Sequence, residues 1–401
     1  MKTTTADPVP VMPQPATVSG ERWIVFFGED WAGHHSTGKY LASGLSERHQ
    51  VIWVDSLGLR APGLQIRDLR RIGRKLWLFL RSLGKKSKTD AAHERRPIVV
   101  SPLAIPWLKY AWVRSLNRWF VGGYLRRVAR RNGVVRPLVI TACPATVDVV
   151  DVLNPTHVIY YCADEHSALP GMDAPLVRRL EMELLERVDA VFAVSRELVS
   201  AKERLHSTVH YFPHGVAWAS FRPAAVEKLC LPEEFADVPE PRVGYIGLVG
   251  EHLDFDLMYQ LMFSMPEVSF VVIGPVEDGV TPPDLPNVHY IGARPFGMLA
   301  TYLAHIDIGL LPWKRNERNR FANPTKVREY LAAGCPVVST PHPELPERSP
   351  FVASADTALE FAVAIRHTLS NRPDRDAVSQ SVSGEDWSVR VRELETLVAQ
   401  V

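Results

Sequence analysis

Cysteine is scarce in this chain: four in 401 residues, Cys143, Cys162, Cys230 and Cys335, with no CxxC spacing among them. That excludes a disulfide framework and a cysteine-based zinc site. Cys162 and Cys335, set in apolar runs, read as small buried hydrophobes. Long hydrophobic stretches are missing too, and none approaches the roughly 18 residues a helix needs to cross a bilayer. Residues 1–20, MKTTTADPVPVMPQPATVSG, lack the apolar centre of a signal peptide. They read as a disordered tail, which points to a cytoplasmic chain. No strand is followed by GxGxxG, which argues against a dinucleotide cofactor, and no nucleic-acid recognition motif is present. Net charge is nearly nil, with 46 basic against 45 acidic side chains.

That balance hides an asymmetry. Residues 60–136 hold 20 Lys and Arg against Asp68, Asp90 and Glu94, a surplus of 17, so the rest of the chain is acidic by 16. Within the basic stretch Ile66, Leu69, Ile72, Leu76, Phe79, Leu80 and Leu83 recur at helical spacing, with Arg67, Arg70, Arg71, Arg74, Lys75 and Arg81 between them. Trp107, Trp112, Trp119 and Tyr124 are interleaved with Arg114, Arg118, Arg126 and Arg127. A basic amphipathic helix with interfacial aromatics suits an anionic bilayer surface. The plainer reading is a surface helix whose apolar stripe packs on a sheet.

From Arg22 onward short apolar strands alternate with helical stretches, the pattern of a parallel sheet covered on both faces. RWIVFFG, QVIWVDS, PIVVS, PLVITA, HVIYYCA, AVFAVS and VHYFP predict seven strands. Together they make a Rossmann-like domain over 21–218. The Pro-rich stretch 219–240 reads as a linker. PRVGYIG, VSFVVIGP, NVHYIG, IDIGLLP and PVVST predict a second Rossmann-like domain over 241–382. Residues 383–401 give an amphipathic helix with Trp387, Val391, Leu394 and Val398 at helical spacing, expected to pack across the interface. Two doubly wound domains leave a cleft at the carboxyl ends of their strands, where ligands bind.

The stretch NPTKVREYLAAG concentrates the chemistry. Asn323 is expected to cap a helix whose first residue is Pro324, and Lys326 and Glu329, three apart, share one face. Backbone amides around Asn323 and Thr325, the helix dipole and Lys326 suit a phosphate. Glu329 can accept hydrogen bonds from sugar hydroxyls, so the pair points to a nucleotide. Arg328 falls on another face and reads as a surface residue. Gly247 and Gly250 follow a strand and let backbone approach a diphosphate; a plain tight turn is the alternative. Asp254 and Asp256 sit at a helix start, where capping explains them better than a metal does, and no metal site is expected. In the first half Gly33, His34 and His35 precede a helix that faces the cleft. Asp164, Glu165 and His166 stand at the tip of HVIYYCA, with Asp164 and His166 the preferred acid/base or sugar-contacting pair.

The segments GYIGLVGEHLDFD, FVVIGP, NVHYIGARPFGMLATYLAHIDIGLLP and NPTKVREYLAAGCPVVST resemble the nucleotide-sugar-dependent glycosyltransferases of the GT-B fold, in particular the large retaining family numbered 4. YYCADEHSALPG, LEMELLERVDAVFAVS and YFPHGVAWASF extend the likeness into the first half, so it covers roughly 22–400. It looks nearest to a teichuronic-acid-type branch that builds cell-surface polysaccharide. The resemblance implies an α/β protein of two facing Rossmann-like domains. It also implies a metal-independent, cofactor-free transfer, with retention of configuration, from a nucleotide-diphosphate sugar to a lipid-linked or polysaccharide acceptor. The family's paired glutamates would fall on Phe321 and Glu329, and its usual Arg and Lys on Leu248 and Leu253. Lys326, the Asn323–Thr325 amides and Arg294 or Arg320 must then supply the missing phosphate contacts. The basic first domain would rest on the inner membrane face as a peripheral protein. Competing readings are a nucleotide-sugar epimerase of the same architecture, a non-catalytic nucleotide-sugar-binding partner of another transferase, and a nucleic-acid-binding protein.

Overall fold

The computed structural model describes residues 20–33, 36–59, 96–345 and 349–400. The N-terminal tail before Gly20, His34, His35 and the basic amphipathic stretch 66–83 lie outside the described residues. The first sheet holds β1 (Trp23–Phe27), β2 (Gln50–Val54), β3 (Ile98–Val100), β4 (Leu138–Thr141), β5 (His157–Cys162), β6 (Ala190–Ala193) and β7 (Val209–Tyr211). Their spatial order is β3-β2-β1-β4-β5-β6-β7. The second sheet holds β8 (Arg242–Ile246), β9 (Ser269–Ile273), β10 (Val288–Tyr290), β11 (Ile308–Leu311), β12 (Val337–Ser339) and β13 (Val352–Ser354), ordered β10-β9-β8-β11-β12-β13. All paired strands are parallel, with Val25 set between Ile52 and Val139, and Gly244 between Val271 and Gly309.

The central strands are continuous apolar runs because helices cover both of their faces. In β5 the five residues Val158–Cys162 are all buried. One apolar core spans the first sheet, and two cores lie on opposite sides of the second. The strand β13 went unread in the sequence: three half-exposed residues at a sheet edge carry no apolar run. Both sheets reverse direction beside their first strand, between β1 and β4 and between β8 and β11. Such switch points open crevices at the carboxyl ends of the strands.

The stretch 219–240 connects the sheets and packs into the second domain, whose core takes up Phe221, Ala224, Phe235 and Val238. The helix Trp387–Val398 returns to the first domain, burying Trp387, Val391, Leu394 and Val398 in its core. Direct bonds hold the lobes together. Ser195 Oγ donates to the Phe321 carbonyl at 2.7 Å, and the Asn323 amide donates to the Val194 carbonyl at 2.6 Å. Glu344, buried at the same seam, accepts from the Arg196 amide and the Tyr211 hydroxyl, each at 2.7 Å. Among the described residues no helix is long and apolar enough to cross a membrane.

Candidate active site at the interdomain cleft

Three neighbouring strands of the second sheet end in glycines with left-handed backbone: Gly247 (φ 151°) after β8, Gly274 (φ 152°) after β9 and Gly292 (φ 76°) near the end of β10. The Gly274 amide donates to the Gly292 carbonyl, and a Cβ on Gly274 would overlap the Gly247 carbonyl oxygen. Bare backbone is therefore required to close these turns, and it leaves an open floor at the switch point. A Cβ on Gly250 would meet the Glu277 carboxylate at 2.5 Å.

Beside this floor starts the helix Thr325–Ala332. A Cβ on Gly247 would lie 3.6 Å from Lys326 Cε, so the lysine stem runs past the glycine turn. Lys326 Nζ donates to Glu329 Oε2 at 2.7 Å, with the two side chains 27% and 16% exposed. The pair expected on one helix face is thus joined to itself. Burial first, and the Glu329 charge second, push the Tyr40 phenol of the first domain upward.

The expected cap at Asn323 is a correction. The helix is preceded by Pro324 and has no side-chain cap. Asn323 is instead an interdomain strut, donating to Val194 and Glu344 and accepting from Arg328. Arg328 is likewise no free surface residue, because its guanidinium is held between Asn323 and Glu385. Thr325 is the first helical residue. Arg294 turns to Glu234 at 2.6 Å and to the Tyr302 hydroxyl. Arg320 meets Glu197 at 3.5 Å and lies over the Phe321 ring. Phe321 itself is buried against the first domain's core.

Sequence reasoning missed three groups here. Tyr245 donates its hydroxyl proton to the Leu248 carbonyl at 2.8 Å, so the 3.2 Å contact from His252 Nε2 assigns the imidazole proton to that nitrogen. Burial, helped by Arg318 and Lys314 against Glu277, lowers the His252 pKa to about 4 and keeps the ring neutral. Arg318 rides on the helix Glu317–Phe321 among four cations of the loop after β11, where it looked like one more solvated charge.

In the first domain Gly33 closes a tight turn by donating to the Asp30 carbonyl. A Cβ on Gly33 would lie 3.7 Å from Lys39 Nζ. A cavity of about 260 Å³ opens at the β1/β4 switch point, lined by Gly28, Glu29, Ala142, Cys143, His166 and Met172 among others. His166 Nε2 sits 3.0 Å from the Ala142 carbonyl. Asp164 is exposed at the tip of β5. Desolvation raises its pKa, against the pull of His166 and Arg318. Glu165, expected on the acceptor side, is taken up by structure: it caps the turn His166–Ala168 and meets the buried Lys202 at 3.0 Å. Asp254 caps its helix through the Leu257 amide, and among the described residues no group of three or more His, Cys, Asp or Glu is placed to hold a metal. Two larger cavities, about 790 and 690 Å³, lie beside the C-terminal helix and at the back of the domain seam. The smaller one lies where strand ends converge.

Comparison with known proteins meets this geometry at the switch point. Residues 241–371 match the family described as Glycosyl transferases group 1. The matched stretch lies within the second domain. It includes both loops that flank the β8/β11 crevice and the helix bearing Lys326 and Glu329. TuaH of Bacillus subtilis (strain 168), named as a teichuronic acid biosynthesis glycosyltransferase, is 25% identical over 266 residues; the match takes in 59% of this chain and 65% of that protein's length. Among solved structures, sucrose-phosphate synthase from Thermosynechococcus elongatus superposes with a TM-score of 0.65 at 15% identity, covering 95% of this chain and 99% of that one. The catalytic domain of starch synthase IV from Arabidopsis thaliana, bound to ADP and acarbose, gives 0.60 at 11% identity over 95% and 99%. The structural likenesses show the GT-B fold, two Rossmann-like domains facing each other.

Proposed function

We propose that the protein transfers a sugar from a nucleoside-diphosphate donor, bound by the group 1 domain, to a lipid-linked or polysaccharide acceptor presented by the first domain. One observation carries the reading. The 241–371 match falls on the half whose glycine floor, Lys326 and Glu329 meet at the switch point. The barrier to such a transfer is charge accumulating on the diphosphate as it leaves. Fixed amides and a lysine stabilise that charge in the transition state, so the reaction is metal-independent. Glu329 takes ribose hydroxyls and aims the anomeric carbon at the cleft. There Asp164 and His166 stand beside the acceptor cavity. Retention of configuration and residence on the inner membrane face complete the reading. The polysaccharide class of the acceptor leans on the TuaH likeness.

The test is thermal stabilisation of the full chain by UDP, GDP, dTDP and ADP sugars. A ligand at 100 times its Kd adds about 2.7 kcal/mol to the native state. One base should raise Tm clearly above the other three, and Glu329→Ala should abolish the rise. Equal, negligible shifts with all four would overturn the proposal. Release of free nucleoside diphosphate in step with product identifies transfer; an isomerised donor sugar without transfer identifies epimerisation.

A further inference from the structure

The two loops that flank the β8/β11 crevice are opposite in charge. The loop after β8, GLVGEHLD (247–254), has no Lys or Arg, and the two leucines it carries at 248 and 253 are an exposed and a buried apolar side chain. The loop after β11, PWKRNERNRF (312–321), has four. The loops are laced together: the Lys314 amide donates to the His252 carbonyl, the Asp254 amide to the Pro312 carbonyl, and Leu253 bridges to Trp313. A second cation for the floor, besides Lys326, is therefore within reach only on the second of these two loops. Arg315 is paired with Asp356 and Arg320 with Glu197. Lys314 is exposed. Arg318 is half-buried and, among the described residues, has no hydrogen bond or ion pair. Its helix is bonded to the His252 carbonyl through Asn319 and to Ser195 of the first domain through Phe321, so Arg318 stands at the seam between the lobes, where its charge also bears on His252 and Asp164.

The short helix carrying Arg318 is fixed at both ends. Asn316 caps it through the Asn319 amide, and Asn319 Nδ2 donates to the His252 and Lys314 carbonyls at 3.0 and 2.7 Å. Its last residue, Phe321, accepts from Ser195 of the first domain. A cation held by such a frame is oriented before the reaction starts, which is where electrostatic stabilisation is strongest.

We infer that Arg318 is a catalytic residue, the guanidinium that neutralises the departing nucleoside diphosphate alongside Lys326. This rests on the transferase reading. As the bond from the anomeric carbon to the diphosphate oxygen breaks, its electron pair stays on the phosphate. The acceptor hydroxyl oxygen forms the new bond to that carbon and gives its proton up to solvent. The doubled charge on the terminal phosphate is what Arg318 meets, through a planar fork suited to phosphate oxygens.

The experiment compares, by calorimetric titration of the full chain, the nucleoside diphosphate and monophosphate of whichever of uridine, guanosine, thymidine and adenosine stabilises the protein. In Arg318→Gln the diphosphate should bind about 10-fold or more weakly while the monophosphate holds within about threefold, and kcat should fall about 100-fold, the scale of losing one such donor. Arg320→Gln, whose guanidinium is already engaged by Glu197, should keep the wild-type ratio. An unchanged diphosphate-to-monophosphate ratio in Arg318→Gln overturns the inference while leaving the transferase reading standing. Failure of the wild-type chain to bind any of the four removes that reading and this one together. Should Arg318→Gln not fold, Arg318→Lys carries the test: its charge is kept but its fork lost, so a selective loss for the diphosphate supports the inference and a wild-type ratio overturns it.

Discussion

His214 is a base that the fold keeps uncharged. It is 7% exposed and within 3.1 Å of the Tyr161 hydroxyl. Burial, reinforced by Arg328 and Arg390, lowers its pKa to about 3. The unfolded chain binds a proton here near pH 6.5 and the folded chain only near 3, so between those values the unfolded state holds more protons and stability falls as pH falls. A pH series of urea melts should show a loss on the order of a few kcal/mol from pH 6.5 to 3. His214→Gln should flatten that slope, and an equal slope in the variant would place the effect elsewhere. The Lys326–Glu329 pair works differently. A partly exposed ion pair three residues apart on a helix contributes a few tenths of a kcal/mol. An incoming diphosphate and ribose can therefore separate the two side chains at little cost, each passing to its own ligand group.

At the scale of elements, the strand-end turns are the least replaceable part of the site. Gly274 holds a left-handed backbone with the Gly247 carbonyl where a methyl would go. Gly274→Ala should cost about 1–3 kcal/mol of stability and displace the Gly247 turn from Lys326, lowering nucleotide affinity as well. Gly297→Ala has open space around it and should leave both unchanged; calorimetric melts and titrations of the two variants make the comparison. These elements also show what a sequence can reveal. Twelve of the strands are apolar runs bounded by turn residues, so local pattern located them, whereas β13 has neither length nor apolar character. Lys326 and Glu329 were legible because helical spacing alone puts them together. Asn323 was misread because Asn-Pro before a helix is a local capping signal, while its partners Val194 and Glu344 stand 129 and 21 residues away. Arg318 was hidden for the same reason: nothing in a run of four cations tells which one lies between two lobes.

At the scale of the whole molecule, the basic surplus and a cluster of exposed tryptophans fall on the first domain. Between Arg96 and Val147 there are nine Lys and Arg and no acid. The helix Ala111–Asn132 exposes Trp112 (66%), Trp119 (69%) and Phe120 (54%), with Trp107 and Tyr110 exposed just before it. At 100° per residue Trp112, Trp119, Arg126 and Arg130 fall within one narrow outward stripe, while Val113, Val121 and Leu125 face the core. Arg114 and Arg118 are neutralised by Asp148, Glu183 and Asp151. Lys109, Arg127 and Arg131, exposed, remain to supply charge beside that stripe. Exposed Trp side chains beside cations that form no ion pair among the described residues match the interface of an anionic bilayer, where each cation contributes about 1 kcal/mol near the surface. The full chain should float with phosphatidylglycerol-containing vesicles at low salt and detach as salt screens the charge. It should not float with phosphatidylcholine alone. Replacing Trp112 and Trp119 with Ser should weaken flotation about 10-fold or more and leave nucleotide binding intact, since the proposed donor groups lie on the other domain. Flotation unaffected by those substitutions would mean that another surface of the first domain touches the membrane, and no flotation at all would detach the proposed acceptor from lipid.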